Sequence, residues 1–406
     1  MDTSKPLGEG WNRRDFCKIT GTMVGGLLAS GMISLQGASA PPKRTHNFVT
    51  INESTNPELI YLGNPSIVIL PDGSYIDSHT WGGPGAQPEE RGVMIFRSTD
   101  RGNTWKHIAH FQGQTMSNLF LHSSDLYLMG TGPGWGPVII RRSTDGGKTW
   151  TTPVNENTGL LLSGSPGYHT APVPIAVYKG RIWRAMELTE GGDAQHNWPC
   201  FVMSAPVDAD LLKASNWSSS NLLYHEAFPK IRWKEGNMVV TPENNLVNIL
   251  RITRKSKYEY SHQEKVAMVH VGDDGKTLSF DPENDLIDFP GGKAKFTIRY
   301  DEKSGRYWSI INYQKEPNVW RNILALSSSA DLRHWIVECV LLRHEDKDRH
   351  AWQYVDWQFD GDDIIFVSRT AWGYEGKTDI NKNPAHNANY HTFHRIPDFR
   401  KARLEK

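Results

Sequence analysis

From about residue 60 onward the chain repeats one hydrophobic pattern: an apolar run of strand length, a tight polar turn, and a second apolar run. Six such units begin the repeats. They are Asn64–His79 around Pro71-Asp72-Gly73, Asn118–Thr131 around Ser123-Ser124, and His169–Glu187 around Lys179-Gly180. The other three are Gly236–Arg251 around Glu243-Asn244-Asn245, Lys295–Tyr313 around Lys303-Ser304-Gly305, and Tyr354–Thr370 around Asp360-Gly361-Asp362. No long stretch carries the 3.6-residue period of a helix. Spacings of roughly 50–65 residues suit four-stranded blades, so the pattern predicts an all-β propeller. The expected count is six blades, or seven if two units have been merged. An early strand near Phe48–Ile51 is expected to pair with the last blade and close the ring.

A second repeat lies within the first. Ser98-Thr99-Asp100-Arg101-Gly102-Asn103-Thr104-Trp105 and Ser143-Thr144-Asp145-Gly146-Gly147-Lys148-Thr149-Trp150 share the pattern S-x-D-x-G-x-T-W, the Asp-box. Gly suits a turn position with φ > 0, Asp bonds turn amides, and Trp covers the hairpin. Weaker echoes are Asp273–Leu278, with Leu in place of Trp, and Ser329–Trp335, one residue short. The boxes belong on outer hairpins and are read as structural.

The first forty residues differ from the rest. Asn12-Arg13-Arg14-Asp15-Phe16-Cys17-Lys18 resembles the twin-arginine export motif, an apolar Gly-rich stretch runs from Ile19 to Leu35, and Ala38-Ser39-Ala40 offers a cleavage site. The alternative is an anchor helix, for which the stretch is short and rich in glycine. The expected organisation is a signal segment over 1–40 and one propeller domain over 41–406, placed in the periplasm or outside the cell. No other apolar run is long enough to span a bilayer, so no stable anchor is expected after cleavage.

Composition narrows the function. The chain has 406 residues with 45 Lys+Arg against 45 Asp+Glu, and residues 41–406 hold 41 against 42. That balance argues against nucleic acid or a polybasic membrane surface as partner. Three cysteines exclude a disulfide scaffold, and no bridge is expected between Cys200 and Cys339. Fifteen tryptophans is a high count, and Trp81, Trp135 or Trp372 could offer a sugar-stacking face.

Candidate chemistry belongs at the face opposite the boxes, where each innermost strand begins and each second strand ends. Those positions hold His79 and Trp81 in the first unit, and Tyr168, His169, Arg184 and Glu187 in the third. They hold Glu235 and Arg251 in the fourth, Tyr313 in the fifth, and Tyr354, Asp356 and Arg369 in the sixth. Arginines grip carboxylates bidentately, and Tyr and His exchange protons, so the set suits a carboxylated sugar. Each residue taken alone is equally a packing or salt-bridged residue, and only their recurrence at one end of several blades points to a site. In the tail, His391 and His394 are three apart and would point to opposite faces of a strand, so with His386 they make a weak metal set. No metal or cofactor is expected.

Across nearly all of residues 41–406 the chain resembles the sialidase-type, Asp-box propeller superfamily. Glu235 at a blade start with Arg251 at the following strand end is similar to the sialidase pattern, whereas Gly63-Asn64-Pro65 stands where sialidases carry Arg-Ile-Pro. Tyr168-His169-Thr170-Ala171-Pro172, Arg181–Glu187 and the tail Asn387–Arg395 resemble the propeller-type ulvan lyases and a related α-L-rhamnosidase group. That resemblance implies an enzyme that cleaves an acidic polysaccharide or oligosaccharide by β-elimination. Arg184, with Arg251, would neutralise the uronate carboxylate, and Tyr168 with His169 or His79 would supply base and acid. Glycoside hydrolysis, by paired carboxyls or by Tyr with Glu, is the second reading. A non-catalytic glycan-binding propeller is the third. The oligomeric state stays open.

Overall fold

The computed structural model describes residues 48–189, 198–224, 231–254, 264–313, 321–373 and 387–402. The export segment over 1–40 and His386 lie outside the described residues. Six antiparallel sheets of four or five strands surround one axis, and the chain is a six-bladed β-propeller. Each expected hairpin turn falls between the first two strands of a blade, as between Tyr61–Ile69 and Tyr75–Gly82 in blade 1. Val49–Glu53 is the outermost strand of blade 6 and pairs antiparallel with Tyr390–Ile396, Val49 opposite Phe393. The first strand of the ring thus completes the last sheet and ties the start of the ring to its end.

The alternating pattern has a direct physical outcome: both faces of each sheet meet a neighbouring blade, so both are apolar. Six hydrophobic clusters fill the six interfaces between blades. Phe120, Met129 and Ile140 of blade 2 meet Ile182, Met186 and Phe201 of blade 3. Ile365, Val367 and Phe393 of blade 6 meet Ile67, Tyr75 and Phe96 of blade 1 across the closure. Cys200 and Cys339 are buried in this core, in different interfaces between blades.

The two octapeptides form the same turn. Asp100 Oδ1 accepts from the Thr104 amide at 2.9 Å and Oδ2 from the Thr104 hydroxyl at 2.6 Å, while Trp105 Nε1 donates to the Gly102 carbonyl at 3.1 Å. Asp145, Thr149, Gly147 and Trp150 repeat these bonds at 2.9, 2.6 and 2.9 Å. The short echo reaches the same end differently. Leu332 takes the left-handed position at φ 65°, where the full copies have Gly102 at 89° and Gly147 at 92°, and Trp335 Nε1 donates to its carbonyl at 2.9 Å.

Blade 3 departs from the expected continuous hairpin. Its innermost strand is split into Gly167–His169 and Ala176–Tyr178, both paired with Arg181–Thr189. Pro172 and Pro174 lie in the gap, where they lack the amide a ladder needs. Arg184 fills the gap from the next strand. Its guanidinium donates to the Ala171 carbonyl at 2.7 Å, the Thr170 hydroxyl at 3.1 Å and the Val173 carbonyl.

Candidate functional site

Four of the innermost strands carry the same irregularity near one end. In each, two residues face one residue of the second strand, a β-bulge. The shifts fall at Gly63/Ser66, Thr115/Asn118, Lys234/Asn237 and Gln353/Asp356. The first bulged residue is left-handed each time: Asn64 at φ 51°, Met116 at 46°, Glu235 at 60° and Tyr354 at 54°. Non-glycine residues in that region cost of order 1–3 kcal/mol each, and such strain concentrates at functional sites. Here the bulges turn side chains of blades 4 and 6 toward one another at the mouth of the axis.

Glu235 is the centre of that meeting. Its Oε2 accepts from Arg251 Nη1 at 2.6 Å and its Oε1 accepts from the Tyr354 hydroxyl at 3.2 Å. Arg251 is fixed in turn by donating Nε to the Lys293 carbonyl at 2.8 Å. Two further guanidiniums face the Tyr354 ring, Arg369 at 4.4 Å and Arg321 at 5.6 Å from its centroid, within cation–π range. Both donate to Gln353 Oε1, Arg369 from 3.0 Å. Arg321 was not among the expected residues. It lies two residues before the third strand of blade 5, Ile323–Ser329, a position that the rule of first-strand starts and second-strand ends does not sample.

Among the described residues the charges here do not balance. Three guanidiniums surround Glu235, and among the described residues neither Arg321 nor Arg369 pairs with a carboxylate. Burial pushes Arg369 down to about 10, which leaves it cationic at neutral pH. Its Nε and that of Arg321 are buried without a hydrogen-bond partner among the described residues. Burial pushes the Glu235 carboxyl up, but Arg251 and then Lys234 and His169 overcome it and hold the group well below the usual carboxylate range. Beside Arg369 opens a cavity of about 330 Å³ between blades 1, 2 and 6, walled by Asn64, Trp81, Arg91, Gln114 and Thr115. Gly63 borders it: a β-carbon there would crowd the Thr80 hydroxyl at 3.0 Å and touch Arg369 Nη1 at 3.8 Å.

Blade 3 contributes a dyad. His169 Nδ1 lies 2.7 Å from Glu187 Oε2, across the strand pair that sets these two residues opposite each other. Glu187 Oε1 accepts from the Gly236 amide at 3.4 Å, which ties the dyad to the bulge that carries Glu235.

The remaining expected residues are elsewhere. Arg184 is completely buried and bonded to the split strand, so it meets no substrate carboxylate. Tyr168 is half-buried against Phe201, and burial raises its pKa with no cation among the described residues acting on it. The expected Tyr168–Arg184 pair is therefore not a shared site, because the prolines of blade 3 make the arginine a structural cap. His79 is sealed: its Nδ1 donates to Asp77 Oδ2 at 3.0 Å, its Nε2 accepts from Asn52 at 2.9 Å, and His391 Nε2 donates to Asp77 Oδ1 at 2.7 Å. Those three groups lie close enough to hold an ion, but the two imidazole–carboxylate bonds already use the facing atoms. His394 instead bonds the Thr392 hydroxyl at 2.8 Å. Asp356 is a brace that accepts from the Ser66 hydroxyl at 2.8 Å, the Ile67 amide at 3.1 Å and Arg299 at 3.3 Å. Trp81 packs on Ile60, Leu62 and Ala86 with one edge on the cavity. Trp135 lies edge-on to Trp198, Trp372 packs on Phe48 and His350, and Tyr313 packs against the cluster between blades 4 and 5.

Comparison with known proteins gives a fold. No family model matches the sequence, and no curated protein matches it. Among solved structures, a protein of unknown function from Dyadobacter fermentans superimposes with a TM-score of 0.59 at 14% identity, over 86% of this chain and 97% of its own. The GH93 α-L-arabinofuranosidase of Fusarium graminearum, solved with arabinobiose, gives 0.55 at 14% identity over 86% and 97%. A leech intramolecular trans-sialidase gives 0.58 at 12% identity over 87% and 70%. At such identities the likeness is one of architecture, a β-propeller of the kind those proteins share.

Proposed function

We propose that this protein is a glycoside hydrolase for anionic saccharides that works by double displacement, with Tyr354 as nucleophile and Glu235 as its base. The observation that carries the reading is the Tyr354 hydroxyl 3.2 Å from a carboxylate oxygen, inside a ring of three guanidiniums. A tyrosine can form a covalent glycosyl intermediate when an adjacent base takes its proton. A neutral-to-neutral attack also suits an anionic substrate, which a carboxylate nucleophile would repel. Arg251 fixes the base, and the Nη groups of Arg321 and Arg369 are the donors for a substrate carboxylate or sulfate. The saccharide-active neighbours support the class, and the unbalanced cations support the charge.

Elimination is less well supported, since the expected Tyr168 and Arg184 do not meet. The two chemistries separate in one assay. Sialosides, uronides, sulfated glycosides and neutral arabinosides are incubated with the protein and followed by reducing ends and by ultraviolet absorbance. New reducing ends without absorbance, confined to the anionic series, are expected. An unsaturated, absorbing product would replace hydrolysis by elimination. Cleavage of neutral glycosides alone would remove the role given to Arg321 and Arg369, and binding without any product would make the protein a lectin-like propeller.

A further inference from the structure

The nucleophile and its base leave one proton unassigned: the oxygen that departs must receive one. Among the described carboxylates near the mouth, Glu235 faces Tyr354, Asp356 is held by Arg299, Ser66 and Ile67, and Glu187 is bonded to His169. We propose that His169, oriented by Glu187, is the general acid for the leaving oxygen and then the general base for the incoming water. The assignment rests on the reading of Tyr354 and Glu235 given above.

Four observations support it. A carboxylate 2.7 Å from Nδ1 requires the hydrogen on that nitrogen, so Nε2 is the atom that gains and loses a proton. Nε2 makes no hydrogen bond among the described residues, whereas the other buried imidazoles, His79, His350, His391 and His394, have theirs engaged. His169 is also close enough to act on the charge of Glu235, and Glu187 reaches the amide of Gly236, so base and acid sit on adjoining blades. Trp198 closes one side of the imidazole, its centroid 4.9 Å away, and limits the ring's freedom. The division of labour is the one found wherever a carboxylate fixes a histidine tautomer for proton transfer.

The steps balance. The Tyr354 oxygen attacks the anomeric carbon as its proton passes to Glu235 Oε1, the glycosidic C–O bond breaks, and the departing oxygen takes the proton of His169 Nε2. In the second half, water attacks the same carbon and gives a proton to His169 Nε2. The bond to Tyr354 breaks, and its oxygen recovers the proton from Glu235. The sum is hydrolysis, with every protein group restored.

The test is a leaving-group comparison on one anionic glycone taken from the active set of the screen. One substrate carries a sugar aglycone, which needs protonation, and the other a 4-nitrophenyl group, which leaves as the phenolate. His169→Gln is expected to lower kcat on the sugar aglycone by roughly 10²–10⁴-fold. On the nitrophenyl glycoside its first half-reaction should stay within about tenfold of wild type, read as the nitrophenol burst. Azide should restore turnover with release of the glycosyl azide. Glu187→Gln, which keeps the shape and removes the charge, should show the same split to a smaller degree. Equal losses on both substrates in either soluble variant, with no azide effect, would overturn the assignment. Tyr354→Phe must abolish both reactions, so full activity there condemns the parent reading rather than the role of His169.

Discussion

Replacing Tyr354 by Phe removes one oxygen from the centre of the site and nothing else. The ring keeps its place under Arg369 at 4.4 Å, and the bulge residue keeps an aromatic side chain of the same shape. The lost bond is 3.2 Å long, and its carboxylate partner still holds Arg251 at 2.6 Å. A hydrogen bond to a charged group contributes about 1.5–3 kcal/mol, and with Glu235 still satisfied the loss in stability should lie near the bottom of that range. For a domain of this size that is a shift of only a few degrees in Tm. Turnover responds on another scale. Loss of a covalent nucleophile should raise the barrier by about 4–8 kcal/mol, a factor of roughly 10³–10⁶ in kcat. The assay compares kcat of wild type and Tyr354→Phe on the anionic glycoside, with substrate affinity of the variant measured by calorimetry and Tm by scanning fluorimetry. Unchanged affinity and a collapsed kcat are expected. A kcat within tenfold of wild type, in a variant that binds and melts normally, would refute the assignment of the nucleophile.

Further outcomes follow from the same geometry. Arg369→Met keeps much of the packing and removes one cation that pairs with no carboxylate among the described residues, so KM for the anionic glycoside should rise about 10–100-fold while kcat changes less; an unchanged KM would remove Arg369 from the ligand's contacts. Gly102→Ala places a methyl 2.2 Å from the Phe393 ring at a residue with φ 89°, and should cost more than about 2 kcal/mol in urea unfolding, whereas Lys148→Ala at the exposed face of the second turn should be neutral. Acid should destabilise the fold. Burial, with like charge from His391 for His79 and His394, holds His79 at about 4 and His391 and His394 at about 3, below their unfolded 6.5. Each depressed group contributes stability that is complete above the unfolded value and lost as pH falls toward the folded one, about 2 kcal/mol each from pH 7 to 5. Asp77, raised by burial to about 6, opposes this by about 1 kcal/mol over the same window. Urea midpoints at pH 7 and 5 should therefore differ clearly, and equal midpoints would contradict the buried neutral imidazoles.

Much of the architecture was written in the chain in local terms. Strand alternation and turn chemistry act over a few residues, so the six hairpins, the two octapeptide turns and the closing strand near Phe48–Ile51 could be read without coordinates. The recurrence of Glu235, Arg251, Tyr354 and Arg369 at one end of different blades was legible for the same reason. Their partnership was not. It depends on the one-residue bulges at Glu235 and Tyr354, which leave no residue-type signature because both positions are left-handed without glycine. Arg184 shows the converse: its spacing from Tyr168 looked functional, and only the prolines' missing amides in three dimensions turned it into a cap. Arg321 likewise owes its place beside Tyr354 to a neighbouring blade, and only the Gly236 amide ties the His169–Glu187 dyad of blade 3 to Glu235. The sequence by itself determined the repeating sheet and the blade ends at which these residues recur, since those follow from short-range periodicity. The tertiary structure alone decided which charges share one desolvated space, because electrostatic coupling depends on distance through the ring and not on separation along the chain.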